Sequence, residues 1–322
     1  MNRKFFFQSV LAGVLWLAGF GAAQAQTYPA KPITLILSVP PGGILDFVAR
    51  TFVDKIGPGL GQRIVIEHRP GANGAIAGQA AAQAAPDGHT LLFDGLFNHT
   101  LVPLIQKLPY EAIKDFQPIT LVFSVPVFLI VPKDHPARSA AELAAYGRTK
   151  PGGLSYGSQG AGSSGHILGT LYQAGSGAPM THVPYKSGAQ MQGDLVGGQF
   201  DFAFSSYSTS EPQKHALRFL AIASPARWSG LPDVPTMAEA GFPGVDFDTW
   251  FGIMAPRGTP GAIVGRLHQE FVRAAQDADI VRKLAARGLF VKTSTPGEMA
   301  DMMSREAEKL APLAKVLQVS RN

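Results

Sequence analysis

The chain has no cysteine among its 322 residues, which excludes disulfides, thiol catalysis and cysteine-ligated metals. Charged residues are also scarce, at 16% against 46% hydrophobic residues, a balance typical of a folded globular protein. The formal net charge is +5, and no run of Lys or Arg concentrates it, so we expect no nucleic-acid partner. The length is sufficient for one large or two medium domains.

Long apolar runs are missing too, with one exception at residues 5–21. This run follows Arg3 and Lys4 and is succeeded by small residues, the pattern of a secretory signal peptide cleaved after Ala25. A membrane anchor is the alternative, but the run contains Gln8 and is at the short limit for spanning a bilayer. We therefore predict an exported protein whose residues 1–25 are removed.

Strand-like and helix-like segments alternate along the rest of the chain, which predicts an α/β protein with mostly parallel sheets. Two such stretches, roughly 27–125 and 130–250, precede a pair of C-terminal helices that we expect to pack back on the first stretch. The predicted division is 26–127 with 253–322 in the first lobe and 128–252 in the second.

The loop that follows the first strand, "VPPGGILD", is a candidate ligand site, because ligands bind beyond the carboxyl ends of parallel strands. Prolines fix this backbone, glycines allow close approach, and the next helix offers unpaired N–H groups to an anion. A structural turn in which the aspartate merely caps the helix is an equally supported alternative. The predicted contacts are Pro41, Gly42, Gly43, Ile44, Leu45 and Asp46.

A second loop, "YGSQGAGSSGH", contains a G-x-G-x-x-G pattern at Gly160, Gly162 and Gly165. A dinucleotide site needs an acidic residue about 20 positions further on, but none occurs between 143 and 193. We therefore expect no cofactor, and interpret the loop as an anion site made of hydroxyls and backbone N–H groups rather than a flexible linker. The predicted contacts are Ser158, Gly160, Ala161, Gly162, Ser163, Ser164 and His166.

Catalytic and metal sites are not indicated. The G-x-S-x-G pattern is not met at Ser163 or Ser164, and no carboxylate lies near His166 in the sequence to orient it. The eight histidines have no metal-ligand spacing. We expect neither a catalytic residue nor a metal.

Other residues at strand ends are candidates for the wall of a pocket, since loop-borne aromatic residues more often line ligand sites than strand-borne ones. These candidates are Phe97, Asn98, Ser206, Tyr207 and Trp250.

The sequence resembles the substrate-binding proteins of tripartite tricarboxylate transporters, the Bug/TctC family. Besides the two loops, the resemblance rests on "VIEHRPGANGAIA" (65–77), "HVPYKSGAQMQGDLVGGQFDFAF" (182–204) and "LPDVPTMAEAGFPG" (231–244). It implies a bilobed, periplasmic-binding-protein-like fold of type II, with two mixed or parallel α/β lobes around a cleft. It further implies a monomer in the periplasm that holds a small carboxylate and delivers it to a permease of one large and one small membrane subunit.

One departure from the family pattern bears on the ligand. Ile44 and Leu45 stand where relatives often carry small or polar residues, which suggests an aromatic or otherwise hydrophobic carboxylate. The alternative is that Leu45 faces the core and never meets the ligand. A sensor partner of a membrane signalling protein, or a secreted hydrolase or isomerase, are rival functions for the same fold.

Overall fold

The computed structural model describes residues 28–160, 162–246 and 249–313. The predicted signal peptide and Ala161 lie outside them. The strands are β1 Ile33–Leu37, β2 Ile64–His68, β3 Thr90–Gly95, β4 Phe116–Val125, β5 Val127–Pro132, β6 Leu154–Ser158, β7 Met180–Pro184, β8 Phe202–Ser206, β9 Leu217–Ile222, β10 Thr249–Pro256 and β11 Phe290–Val291. The helices are α1 Ile44–Leu60, α2 Ala75–Ala82, α3 Val102–Ile105, α4 Ala140–Thr149, α5 Ser164–Ser176, α6 Gly188–Val196, α7 Tyr207–Ser210, α8 Gly261–Ala275, α9 Ala278–Ala285 and α10 Pro296–Leu310.

The strands form two sheets with the same internal order. Sheet A runs β11–β4–β10–β3–β1–β2, and sheet B runs β7–β6–β8–β5–β9. In each sheet three neighbouring strands are parallel, and one antiparallel strand, β10 or β5, is inserted beside the third. We refer to sheet A with its helices as lobe 1 and to sheet B with its helices as lobe 2. Both sheets are mixed, in agreement with the expected pair of α/β lobes.

Apolar periodicity explains how α1 docks on sheet A. The apolar residues that recur on one face of this helix are all buried in the structure: Leu45, Val48, Ala49, Phe52 and Ile56. Fully burying a side chain of this size stabilises the fold by about 1.5–3 kcal/mol. The helix therefore holds its first turn, and the loop before it, in a fixed place at the edge of the sheet.

Two elements differ from the sequence-based expectation. β4 was not predicted, because Pro118 interrupts its apolar run; the structure places Pro118 opposite Met254, where the register with β10 shifts. In place of the predicted pair of C-terminal helices, the described residues form three, α8, α9 and α10, because Asp277 accepts hydrogen bonds from the Asp279 and Ile280 N–H groups and starts a new helix after α8. α8 and α10 pack against β4.

The chain passes from sheet A to sheet B through a single residue, Pro126, between β4 and β5. It returns to sheet A at Thr249, which pairs with Val125. Residues 249–252, which the sequence-based division assigned to the second lobe, therefore pair in the first sheet. No helix in the described part of the chain is long and apolar enough to cross a membrane.

Candidate functional site

In lobe 1 the loop before α1 is fixed by Asp46, which is 4% exposed. Its Oδ2 accepts hydrogen bonds from the Gly42 N–H and from Arg50 Nε, both at 3.0 Å, and its Oδ1 lies 3.1 Å from His68 Nε2. Burial acts to raise the pKa of Asp46, but these three partners together hold it below its ordinary value. Asp46 therefore stays ionised, and its charge is held by hydrogen bonds inside lobe 1.

In lobe 2 the loop before α5 is fixed by His166, which is 2% exposed. Its Nδ1 accepts a hydrogen bond from the Gly162 N–H at 3.0 Å, and its ring stacks on His182 with 4.1 Å between centroids. His182 Nε2 lies 2.7 Å from Ser158 Oγ. Burial lowers the pKa of both histidines, that of His182 to about 4 with a further contribution from His166. The pair is neutral at neutral pH.

The two loops have the same geometry. Gly42 and Gly162 both have positive φ angles, +90° and +80°. Asp46 and His166 are each the third residue of a helix, and each accepts a hydrogen bond from the glycine N–H four residues earlier. The first residues of these helices, at the equivalent positions of the two lobes, therefore start from similarly shaped turns.

Two adjoining cavities lie between the lobes and share Gln159, Ser163 and Ser164. The crossing cavity, of about 230 Å³, is mostly polar on the lobe 2 side and mostly apolar on the lobe 1 side. Its other lining residues are Ile44, Val125, Val127, Gly165, Phe204, Ser205, Ser206, Ser208, Thr209, Thr249 and Phe251. The side cavity, of about 420 Å³, is completed by Asn73, Phe97, Asn98, Leu101, Val102 and Gly162.

Several residues predicted from the sequence meet at these cavities. Ile44, Ser163, Ser164 and Ser206 line the crossing cavity. Phe97, Asn98 and Gly162, together with the same two serines of the α5 start, line the side cavity. The predicted loops of both lobes thus contribute to one region between the sheets.

Leu45 and Trp250 were predicted as ligand contacts, but the structure places both in the core. Leu45 is 4% exposed because it lies on the buried face of α1. Trp250 is fully buried, while its neighbours Thr249 and Phe251 line the crossing cavity. Alternate residues of a strand point to opposite faces, so only one set can meet the cleft.

Other predicted contacts lie beside or behind the cavities rather than in their walls. Asp46, Ser158 and His166 are buried beneath the loops that they support. Tyr207 packs against Trp228, with 4.4 Å between ring centroids, and lines a separate cavity with Arg287. The remaining predicted residues lie in the two loops but not in either cavity wall: Pro41, Gly42, Gly43 and Gly160.

The sequence-based prediction missed Gln159, Thr249 and Phe251. Gln159 directly follows β6, so its position beyond a strand end was a usable signal. Thr249 is 6% exposed, and its Oγ1 has no hydrogen-bond partner among the described residues. A buried hydroxyl that faces a cavity in this way is available to a ligand.

The arrangement favours a small anion. No charged side chain lines either cavity among the described residues. Instead, the first residues of the long helices α1 and α5, Ile44 and Ser164, lie at the crossing cavity. The positive ends of helix dipoles, free N–H groups and seryl hydroxyls stabilise a carboxylate without a cationic side chain.

Comparison with known proteins gives consistent matches. The TctC family model, described as the tripartite tricarboxylate transporter family receptor, matches residues 48–319. A UPF0065 protein encoded in the tcbD–tcbE intergenic region of Pseudomonas sp. strain P51 is 34% identical, over 97% of this chain and 95% of its own.

Two solved structures are similar along their whole length. R. palustris Rpa4515 with adipate has a TM-score of 0.72 and 32% identity, and the match covers 90% of this chain and 98% of that one. MatC (Rpa3494) from Rhodopseudomonas palustris with bound malate has a TM-score of 0.69 and 31% identity, covering 89% and 100%.

Proposed function

Because the chain belongs to the tripartite tricarboxylate transporter receptor family, we propose that it is a periplasmic solute-binding protein that captures a small carboxylate between its two lobes. Its role is transport: the loaded protein delivers its ligand to a membrane permease of one large and one small subunit. It catalyses no reaction, and the ligand that leaves the cleft is chemically the same as the ligand that entered it.

The observation that supports this proposal is that two long-helix N-termini meet at a cavity whose described lining residues carry no charge. Ser164 begins α5 on one side, and Ile44 begins α1 on the other. Asp46, the nearest carboxylate in the α1 turn, is paired with Arg50 and His68 and does not line the cavity. Among the described residues, a ligand carboxylate therefore meets partial positive charge without a competing negative side chain in the cavity wall.

The ligand body is hydrophobic, and an aromatic or medium-chain aliphatic carboxylate fits best. Ile44, Val125, Val127 and Phe251 form the apolar part of the crossing cavity, and Phe97 extends it into the side cavity. The adipate of one similar structure has such an apolar middle, whereas citrate does not. Burial of the ligand's apolar surface then adds to the hold on its carboxylate.

A ligand screen tests the proposal. We expect saturable thermal stabilisation of the purified protein by benzoate-, phthalate- or adipate-type acids, followed by calorimetry and by recovery of unchanged ligand. Tight binding of citrate or amino acids alone would contradict the proposed hydrophobic ligand but would still support a carboxylate-binding site. Stabilisation by no acid, or conversion of one, contradicts the proposed function.

Ser164→Asp tests the helix-end site directly. A carboxylate at the first position of α5 favours the helix dipole but repels a carboxylate ligand, so affinity falls by at least about tenfold while the melting temperature does not fall. Gly261→Asp is the matched control, since Gly261 is the exposed first residue of α8 and no atom would lie within 4 Å of its new Cβ. Equal affinity loss in both variants, or none in Ser164→Asp, contradicts the site.

A further inference from the structure

Asn98 of the side cavity has a fixed orientation. Its Nδ2 donates to Asp94 Oδ1 at 2.6 Å and points towards Ser38 Oγ at 3.4 Å. Asp94 is 2% exposed, and the same Oδ1 accepts hydrogen bonds from Ser38 Oγ at 2.8 Å and from the Gly95 N–H at 2.9 Å. An oxygen that accepts three hydrogen bonds requires a donor from Asn98, so the amide nitrogen faces inward.

Backbone geometry and packing reinforce this orientation. Asn98 lies in a π-helical turn, Phe97–Leu101, a rare conformation that often occurs at functional sites. Its amide packs against Gly74, where a Cβ would lie 2.1 Å from Asn98 Nδ2. Any larger residue at Gly74 would displace the amide, so the turn and the glycine together hold it in one place.

The consequence is that Asn98 presents its carbonyl oxygen, not its N–H₂ group, to the side cavity. Asn73 in the same wall also uses its Nδ2 as a donor, to Gln106 Oε1 at 3.3 Å. On the lobe 1 side of this wall, Asn98 therefore offers a hydrogen-bond acceptor. The hydroxyls of Ser163 and Ser164, which line both cavities, lie on the lobe 2 side.

We propose that Asn98 selects ligands that carry a hydroxyl group at the end remote from the carboxylate. This inference rests on the proposed function, in which the carboxylate occupies the crossing cavity. A hydroxyl donates to the Asn98 oxygen, whereas a second carboxylate at that oxygen meets an acceptor, with no cationic side chain among the described lining residues to offset the repulsion. An ammonium group would be a donor too, but in the described part of the chain no charged residue lines the side cavity to balance it.

Asp94 acts as a positioning residue for this selection. His99 Nδ1 lies 2.6 Å from the Ala112 carbonyl and so carries a proton, which leaves His99 Nε2 facing Asp94 Oδ2 at 3.7 Å. An asparagine at position 94 keeps the accepting Oδ1 and turns its N–H₂ group towards His99 Nε2. Asp94→Asn therefore preserves the orientation of Asn98, and Asp94→Leu releases it.

The experiment compares alkanoates, ω-hydroxyalkanoates and dicarboxylates of equal length, from four to eight carbons, by calorimetry on the full chain. At the best length the hydroxy acid binds about three- to tenfold more tightly than the unsubstituted acid, as expected for one neutral hydrogen bond. Dicarboxylates that bind more tightly than hydroxy acids at every length, or equal affinities throughout, overturn the inference while the proposed function stands. Binding of none of the three series overturns the proposed function itself.

The variants assign the preference to Asn98. In Asn98→Ala the affinity ratio between hydroxy acid and alkanoate falls to about one, whereas Asp94→Asn keeps the wild-type ratio and Asp94→Leu loses it. Asp201→Asn, which removes a carboxylate paired with Lys150 in lobe 2, is the control and keeps the ratio. A preference retained in Asn98→Ala, or lost in Asp94→Asn, contradicts the assignment even if Asp94→Leu does not fold.

Discussion

The loops before α1 and α5 solve one geometric problem with different chemistry. In both, a glycine with positive φ donates its N–H to the third residue of the following helix. That residue is Asp46 in lobe 1 and His166 in lobe 2, and each is joined by a histidine from the neighbouring parallel strand, His68 or His182. The backbone turn therefore depends on an acceptor at this position and not on its charge.

The difference concerns where charge is allowed. Lobe 1 uses a carboxylate and compensates it with Arg50 and His68. Lobe 2 contributes the greater part of the polar cavity wall. There the neutral pair of His166 and His182 supports the turn, with His166 as the hydrogen-bond acceptor, without a negative charge. If the cleft binds an anion as proposed, the helix end without a nearby carboxylate is therefore the one in lobe 2, at the start of α5.

Acidification should distinguish the lobes most strongly. The pKa values of His166 and His182 lie below that of a free histidine, so the unfolded chain binds protons first, and lobe 2 loses stability as the pH falls from about 6.5 towards 4. The slope is at most about 1.4 kcal/mol per pH unit for each histidine. Asp46 has a lowered pKa, so its contribution persists until the pH falls below the ordinary carboxyl value.

Hydrogen exchange resolved by peptide and corrected for intrinsic rates measures this order. At pH 5 the segment 158–166 should lose protection while the segment 40–46 keeps it, and His182→Asn should reduce the loss. Loss of protection at the same pH in both segments would contradict the predicted difference between the lobes.

Removal of charge should affect lobe 1 more than lobe 2. Asp46→Asn keeps an oxygen for the Gly42 N–H but weakens the charge-assisted hydrogen bond from Arg50, at a cost of about 2 kcal/mol in the free energy of unfolding. His166→Asn keeps an acceptor for Gly162 and loses mainly ring stacking, about 1 kcal/mol. Urea denaturation of both variants checks the order, and a larger cost for His166→Asn would reverse it.

Replacing Gly42 or Gly162 by alanine should lower the stability of the protein by similar amounts, the smallest effect predicted here. Gly42→Ala meets no atom within 4 Å and Gly162→Ala meets only Leu101 Cδ2 at 3.9 Å, so each change costs about 1 kcal/mol through positive φ alone. Gly193→Ala, in the open interior of α6 with ordinary φ, is the control and stabilises by about 1 kcal/mol. Thermal denaturation of all three variants shows whether the turns are equally strained.

Much of the fold was predictable because apolar periodicity and turn residues specify strands, helices and the loops between them. The family resemblance is confirmed by the match over residues 48–319. The sequence did not predict β4, since Pro118 argues against a strand unless the register shift opposite it is known. Nor could it predict that the two sheets share one strand order, which depends on pairing between distant segments.

Side-chain direction was the less predictable part of the site. β10 is apolar on both faces, so its sequence does not indicate whether Trp250 or its neighbours Thr249 and Phe251 meet the cavity. Likewise Ile44 and Leu45 are adjacent at the start of α1, and only the docking of the helix sends Leu45 into the core. Loops can be found from turn chemistry, but which residue of a loop faces a ligand depends on tertiary packing.

The single-residue crossing at Pro126 gives the cleft a mechanical character. Val125 and Val127 flank it, Thr249 pairs beside it, and all three line the crossing cavity. Under the proposed function, a ligand in this cavity lies beside the crossing between the two lobes, and we expect its thickness to affect the angle between them. Carboxylates of equal charge but unequal width should then leave the protein in distinguishable shapes.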